Sequence, residues 1–240
     1  QVDLTPDGHH FLQHSLKILE AVDQAQSAIA LNRDGPAGSL KVSAPVSFAR
    51  LHLAPLVATF TQEYPQVQLQ VVASDRFDDF FREQIDLLIR VAELKDSNMV
   101  ARRLAPSRRV FCASPEYLAR AGTPQVPADL AKHNCLLLRF PGSQQWRWAL
   151  THPSGRQETL SLSGTMDSDN SEILTSWCLA GHGIAMKDVW EVGPYLRDGT
   201  LCEVLASHPP VSYPITALYP HSQYLPPRVR LFIDFLLAQL

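Results

Sequence analysis

The sequence predicts an α/β protein in which strands and helices alternate behind one long N-terminal helix. Three observations predict it. An apolar stripe with alternating steps of four and three runs along the N-terminal segment. A breaker cluster, Asn32-Arg33-Asp34-Gly35-Pro36-Ala37-Gly38, closes that segment. Beyond it, strand and helix patterns follow in β-α-β-α-β order, which argues for parallel strands with crossover helices. The 240 residues are 45% apolar and 19% charged, enough for one large domain or two smaller lobes.

The N-terminal helix opens at Thr5, a capping residue, with Pro6 suited to the first helical position and Asp7 to the positive helix end. Phe11, Ser15, Ile18, Val22, Ala25 and Ile29 form its stripe, and Leu12, Leu16 and Leu19 widen it. A helix from Thr5 to about Asn32 is roughly 40 Å long at about 1.5 Å per residue. Such a stripe either packs on its own domain or pairs with another chain. The pairing reading nominates Phe11, Ile18, Val22 and Ile29 for dimerisation.

Leu40 to Ala44 reads as a strand, followed by a short helical turn and a second helix that Pro55 opens and Pro65 ends. Val67 to Ala73 alternates apolar and polar residues, Phe77 to Arg82 is a short helix, and Asp86 to Val91 is a buried strand. Val100 to Leu104 and Val110 to Ala113 are strands, Pro115 to Ala121 a helix, and Ala128 to Lys132 a helical turn. Leu136 to Arg139, Trp146 to Leu150 and Thr159 to Ser163 read as a three-stranded meander. Asn170 begins a helix closed by Gly181, Gly183 to Met186 is a strand, and Asp188 to Leu196 is a helix. Ile215 to Tyr219 is a strand, and the last helix, from Pro226, puts Val229, Phe232, Ile233 and Leu236 on one face.

Charge and composition exclude several function classes. The 21 basic residues are outnumbered by 24 acidic ones, net -3, which is poor for gripping nucleic acid unaided. No stretch approaches the about 20 apolar residues of a membrane span. The start, Gln1-Val2-Asp3-Leu4, has neither the basic nor the apolar region of an export signal. Cys112, Cys135, Cys178 and Cys202 are widely spaced with no CxxC pair, so they read as reduced, mostly buried thiols of a cytoplasmic protein. There is no GxSxG, HExxH, phosphate-binding loop or Gly-rich dinucleotide turn, and Ser, His and Asp do not assemble into a triad by spacing. An enzyme is not expected, nor a cofactor or metal.

Several segments, in chain order, match the motifs of one protein family. Leu4-Thr5-Pro6-Asp7-Gly8 is similar to the LTPxG that opens the family's linker helix, and Gly38 to Ala44 to its GxLRVSAP strand. Phe60 to Pro65, Asp86 to Arg90, Ala101 to Leu118, Leu179 to Ala185 and Pro226 to Leu240 resemble further family segments, in order. Position 182 is His where the family usually has Leu or Met. Together these segments resemble LysR-type transcriptional regulators, and the resemblance implies a linker helix and effector domain without the N-terminal winged helix-turn-helix. It also implies the effector domain's periplasmic-binding-protein type II-like fold, two α/β lobes joined by crossing strands. Residues 1–34 are then the linker and dimerisation helix, 35–112 with 215–240 lobe I, and 113–214 lobe II, with crossings at Val110 to Ala113 and Ile215 to Tyr219. The implied partners are a small-molecule effector and a second copy, as dimer or tetramer. Promoter DNA and RNA polymerase are met through the intact protein, and no membrane is involved.

Ligands of open α/β sheets bind beyond the carboxyl ends of strands. Pro45-Val46-Ser47-Phe48 follows the first strand into a helix start, where backbone N–H groups and a hydroxyl form an anion seat. Ser47 caps the helix, contacts a ligand, or does both. Arg90 faces a carboxylate ligand or forms an ion pair with Asp75 or Asp78. Asp167-Ser168-Asp169-Asn170 precedes a helix expected to face lobe I, with Asn170 either a cap or a ligand contact. Phe140-Pro141-Gly142 resembles a loop that gives relatives an apolar wall, and Met186 completes the candidate ligand set. Trp146 and Trp148 alternate on one strand and read as core.

The leading function is therefore a binding module, in which a small anionic metabolite between the lobes reorients the linker helices. A redox sensor of the same family, with Cys112 near Arg108 and Arg109, and a solute-binding protein of the same fold are the alternatives.

Overall fold

A computed structural model describes residues 5, 7, 8, 11, 14, 15, 18, 36–76, 84–91, 99–139, 146–221 and 225–240. The expected helix at 77–82, the Phe140 loop, and Val22 and Ile29 lie outside the described residues. Asp7, Gly8, Phe11, His14, Ser15 and Ile18 are helical.

Strand β1 (Gly38–Ala44) lies between β2 (Val67–Ala73) and β3 (Leu87–Val91), parallel to both. Strand β4 (Met99–Ala105) and the late strand β12 (Ile215–Pro220) complete the first sheet in the order β2-β1-β3-β12-β4, with β12 antiparallel to its neighbours. The central position of β3 explains why Leu-Leu-Ile-Arg-Val is buried throughout.

Between β1 and β2 runs one helical segment, α1, built of Val46–Phe48, a π-helical turn Ala49–Leu53, and Ala54–Glu63. Pro55 was expected to open a separate helix. Instead the chain stays helical through residues 46–63, and Ala54 N–H reaches back to the Ala49 carbonyl. Proline lacks an N–H and crowds the carbonyl four residues before it, and the wider π turn absorbs that misfit. The last helix, α5 (Pro227–Gln239), seals this lobe, with Val229, Phe232, Ile233 and Leu236 buried beside Phe60. Phe60 meets Phe232 edge-on at 4.9 Å between ring centroids.

The second sheet is built of β5 (Arg109–Ala113), β6 (Cys135–Leu138), β9 (Asp167–Ser168), β10 (Ile184–Asp188) and β11 (Cys202–Val204). Their order is β11-β5-β10-β6-β9. Strands β7 (Arg147–Thr151) and β8 (Gln157–Ser161) form a separate hairpin. The expected meander is corrected here: β6 pairs in parallel with β10 and β9 rather than with β7. Its Cys-Leu-Leu-Leu run has no polar face to show solvent, so it belongs inside a sheet covered on both sides. Helices α2 (Pro115–Ala121), α3 (Ser171–Leu179) and α4 (Val189–Arg197), with a 3-10 turn at Pro127–Lys132, cover this sheet. Trp148 is buried in its core with Phe111 stacked at 5.3 Å, and Trp146 packs against the same cluster.

The architecture is thus two α/β lobes joined by crossing segments. Strand β5 pairs along its length with β10 and β11, so the chain leaves the first sheet between Ala105 and Arg109, earlier than a boundary at 112/113. It returns to the first sheet at Ile215. Arg109 ties the crossing together: its backbone N–H donates to Ser212 Oγ at 2.9 Å, and its guanidinium to the Val91 carbonyl at 2.8 Å.

Candidate functional site

The pairing of β1 with β2 sets the geometry of the site. The two strands run in register from Gly38 beside Val67 to Ala44 beside Ala73, and Ser74 N–H extends the ladder to the Ala44 carbonyl at 2.9 Å. The loop after β2 therefore emerges against the first turn of α1. Asp75, two residues beyond β2, accepts the Val46 N–H on Oδ1 at 3.0 Å. Its other oxygen, Oδ2, accepts the Ser171 N–H of α3 at 2.7 Å, across the gap between lobes. One carboxylate thus bridges the starts of two facing helices, where exposed N–H groups and the helix dipole favour negative charge.

Two ion pairs flank this bridge. Arg76 of lobe I pairs with Asp169 of lobe II, holding the Asp169 carboxyl below the usual carboxylate range. Arg50 on α1 pairs with Glu172 on α3 at 2.5 Å. Behind them, Phe48 stacks on His52 and meets Trp190 of α4 edge-on at 5.5 Å.

The described candidate residues each have a place, and Phe140 lies outside the described residues. Pro45 stands at the N-cap position of α1, with its carbonyl accepting Ala49 N–H at 2.8 Å and no side-chain cap. Ser47 is in the first helical turn and buried, so the capping reading of its hydroxyl is corrected. Asn170 does cap: its side chain accepts Glu172 N–H at 2.8 Å. In the same Asx-rich stretch Asp167 pairs with Arg139 at 3.1 Å, and Ser168 Oγ accepts Asn170 N–H at 3.1 Å. Arg90 is buried, and its guanidinium donates to Ser43 Oγ and the Arg76 carbonyl, each at 2.9 Å, and to the Ile89 carbonyl at 2.8 Å. It thereby supports the loop that carries Asp75. Asp78 lies outside the described residues.

Met186 borders a cavity of about 70 Å³ in lobe II, beneath Ser171. Its polar lining is Arg109, Ser171, Lys187, Asp188 and Glu191. Lys187 Nζ pairs with Glu191 at 2.8 Å and donates to the Ser171 carbonyl at 2.9 Å and hydroxyl at 2.5 Å. Thr175 donates to the same Glu191 oxygen at 2.5 Å. Pockets that enclose drug-sized ligands start at about 300 Å³, so this space is too small for such a ligand as it stands. No group of His, Cys, Asp and Glu among the described residues has metal-binding geometry. Burial pushes the Cys135 thiol up to about 12.

A family model for the LysR substrate binding domain matches residues 33–240. The chain belongs to the LysR family of transcriptional regulators. It is 34% identical over 241 residues to the HTH-type transcriptional regulator CrgA of Neisseria meningitidis serogroup C, spanning all of this chain and 80% of that protein. To the HTH-type transcriptional activator TtdR of Escherichia coli K12 it is 30% identical, over 99% of this chain and 76% of that protein. The regulatory domain of CrgA superimposes with a TM-score of 0.73 at 35% identity, covering 85% of this chain and 100% of that one. Full-length AphB, a virulence activator of Vibrio cholerae, gives 0.73 at 28% identity over 100% of this chain and 81% of that one. The matched region is the effector-binding domain of LysR-type regulators, which are transcription factors and not enzymes, with a periplasmic-binding-protein type II-like fold. No described helix is long and apolar enough to cross a membrane.

Sequence reasoning noticed Ser47, Asn170 and Arg90 but missed Asp75 as the bridging group, and Lys187 and Glu191 as a buried pair. Asp75 carried a signal: an acid two residues past the edge of one strand, beside the helix start that follows its neighbour. Lys187 and Glu191 are four apart but straddle the end of β10 and the start of α4, so helical spacing did not mark them.

Proposed function

We propose that this chain is the effector-sensing and oligomerisation portion of a LysR-type regulator. A small anionic metabolite binds between the two lobes, sets their angle, and so controls promoter DNA and RNA polymerase contacts made by the intact protein in the cytoplasm. The observation that carries the reading is the convergence of Val46 N–H and Ser171 N–H on one carboxylate. Two helix starts in different lobes, serving one anion, form a seat whose occupancy depends on lobe position. Ser47 adds a hydroxyl that no cap bond occupies, and Met186 lines the adjoining cavity. Phe140, outside the described residues, remains part of the proposed wall by resemblance alone.

The test is a thermal-shift screen of the protein against metabolites. A ligand at about 100 times its Kd stabilises the folded state by about 2.7 kcal/mol. Small carboxylic acids are expected among the stabilising compounds, and hits confined to neutral or cationic molecules would overturn the anionic reading. With a hit in hand, Ser47→Ala is expected to weaken binding by about 1.5–3 kcal/mol, tenfold or more, by calorimetry. Unchanged affinity in that variant removes Ser47 from the site.

A further inference from the structure

We propose that Asp75 is a tethered competitor, an internal carboxylate that fills the seat an anionic effector needs and clasps the lobes together until it is displaced. The inference rests on the reading of that seat as the effector site.

The clasp is built rather than incidental. Asp75 uses both oxygens, one for each lobe, at 3.0 Å to Val46 N–H and 2.7 Å to Ser171 N–H. Its loop is anchored by Ser74 N–H on the Ala44 carbonyl and by Arg90 on the Arg76 carbonyl. The opposing residue, Ser171, is anchored in turn by Lys187 through its carbonyl and hydroxyl. A continuous chain of polar contacts therefore runs from Glu191 through Lys187, Ser171 and Asp75 to α1. The flanking pairs Arg76–Asp169 and Arg50–Glu172 close the same seam on either side. The adjoining cavity in lobe II holds about 70 Å³, so its side chains must rearrange before a larger ligand enters it.

The physical consequence is a sign. A residue that contacts the effector weakens binding when removed. A residue that competes with the effector strengthens binding when removed, because the apparent dissociation constant is the intrinsic one divided by the fraction of molecules in the competent state. An effector at the seat would swap one carboxylate for another and change the contacts that surround it, not the charge of the seat.

The experiment uses the full 240-residue chain, Asp75→Ala and the more conservative Asp75→Asn, with acetate as probe. Amide hydrogen exchange at Val46 and Ser171 reads the clasp without any ligand, and far-UV circular dichroism checks that each variant is folded. Exchange at both amides is expected to speed up about tenfold or more in Asp75→Ala, the scale of losing a charge-assisted hydrogen bond. Acetate titrated into Asp75→Ala is expected to restore protection at both amides and to bind at least about tenfold more tightly than to the unaltered chain. Unchanged exchange at Ser171 in both variants overturns the clasp. Equal acetate affinity in variant and unaltered chain overturns competition and leaves the seat reading standing. Exchange that speeds up with no acetate binding to either variant overturns the seat itself, and the competitor falls with it. Should Asp75→Ala not fold, the same comparisons apply to Asp75→Asn, whose neutral amide keeps the shape and removes the charge.

Discussion

Asn170 and Ser47 lie near the starts of two facing helices, Asn170 at the N-cap and Ser47 inside the first turn, and their side chains do different work. Asn170 Oδ1 accepts the Glu172 N–H at 2.8 Å, satisfying one of the donors that a helix start leaves without partners. Ser47 comes one residue inside α1, where the Asp75 carboxylate has already taken the Val46 N–H. Asn170→Ala is therefore expected to lower stability by about 0.5–2 kcal/mol, the usual cost of a lost N-cap. Ser47→Ala removes a hydroxyl that caps nothing and is expected to cost less. Urea denaturation of both variants checks the order, and a larger loss at position 47 would show that its hydroxyl carries structural weight after all. At this scale the sequence was legible in residue type but not in assignment: an Asx or Ser before a helix announces an N-terminus, while which neighbour satisfies it depends on a strand register that brings residue 75 to residue 46.

Elements were more legible than residues. The order of strands and helices followed from alternating apolar patterns, and the buried run at β3 and the one-sided face of α5 stand where periodicity placed them. What stayed hidden was non-local pairing. A run such as Cys-Leu-Leu-Leu announces burial, but not that its partners are β10 and β9 rather than the next strand in the chain. Two elements invite tests. The 3-10 turn Pro127–Lys132 is held by Asp129, which accepts Gln125 N–H at 3.1 Å, Val126 N–H at 3.2 Å and Lys132 Nζ at 3.0 Å. These partners, Lys132 first, push the Asp129 carboxyl from 3.8 down to about 2. A depressed carboxylate contributes stability above its unfolded value and loses it as pH falls through the folded one, so the contribution is present above 3.8 and disappears toward 2. Asp129→Ala is expected to melt below the unaltered protein at pH 6, a gap that closes as pH approaches 2; a gap independent of pH would assign the effect to packing instead. The junction of β10 and α4 carries the buried Lys187–Glu191 pair, with side chains 2% and 6% exposed. Lys187→Met strands the Glu191 carboxylate and is expected to cost about 3–5 kcal/mol, and adding Glu191→Leu should recover part of it. A double variant no more stable than Lys187→Met would mean the site needs the pair for more than mutual neutralisation.

For the molecule as a whole, charge and shape bear on what it does with partners. Its net charge of -3 gives no basic excess to neutralise phosphates, so these 240 residues are expected not to retard promoter DNA in a gel at physiological salt. Sub-micromolar, sequence-selective binding by this chain would contradict the assignment of DNA contact to another part of the intact regulator. Association with a second copy is the stronger expectation, and it rests on the N-terminal stripe. Phe11 is 76% exposed and Ile18 65% exposed, although both are helical and large apolar groups. Spaced seven residues apart, they sit on the same helix face, and a repeated apolar seam of this kind is stabilised when a second helix covers it. Val22 and Ile29 extend the seam in sequence. The lobes have their own buried cores, so a change at the seam should alter assembly without unfolding them. Light scattering at tens of micromolar is expected to give a dimer or tetramer, and Phe11→Glu with Ile18→Glu to shift the mass downward while the melting of the lobes changes little. Closed point-group symmetry predicts a definite mass rather than a drifting one. A monomer in the unaltered chain, with its helical circular dichroism intact, would remove the seam as an assembly surface, and a downward shift accompanied by loss of lobe structure would mean that the stripe packs on its own domain.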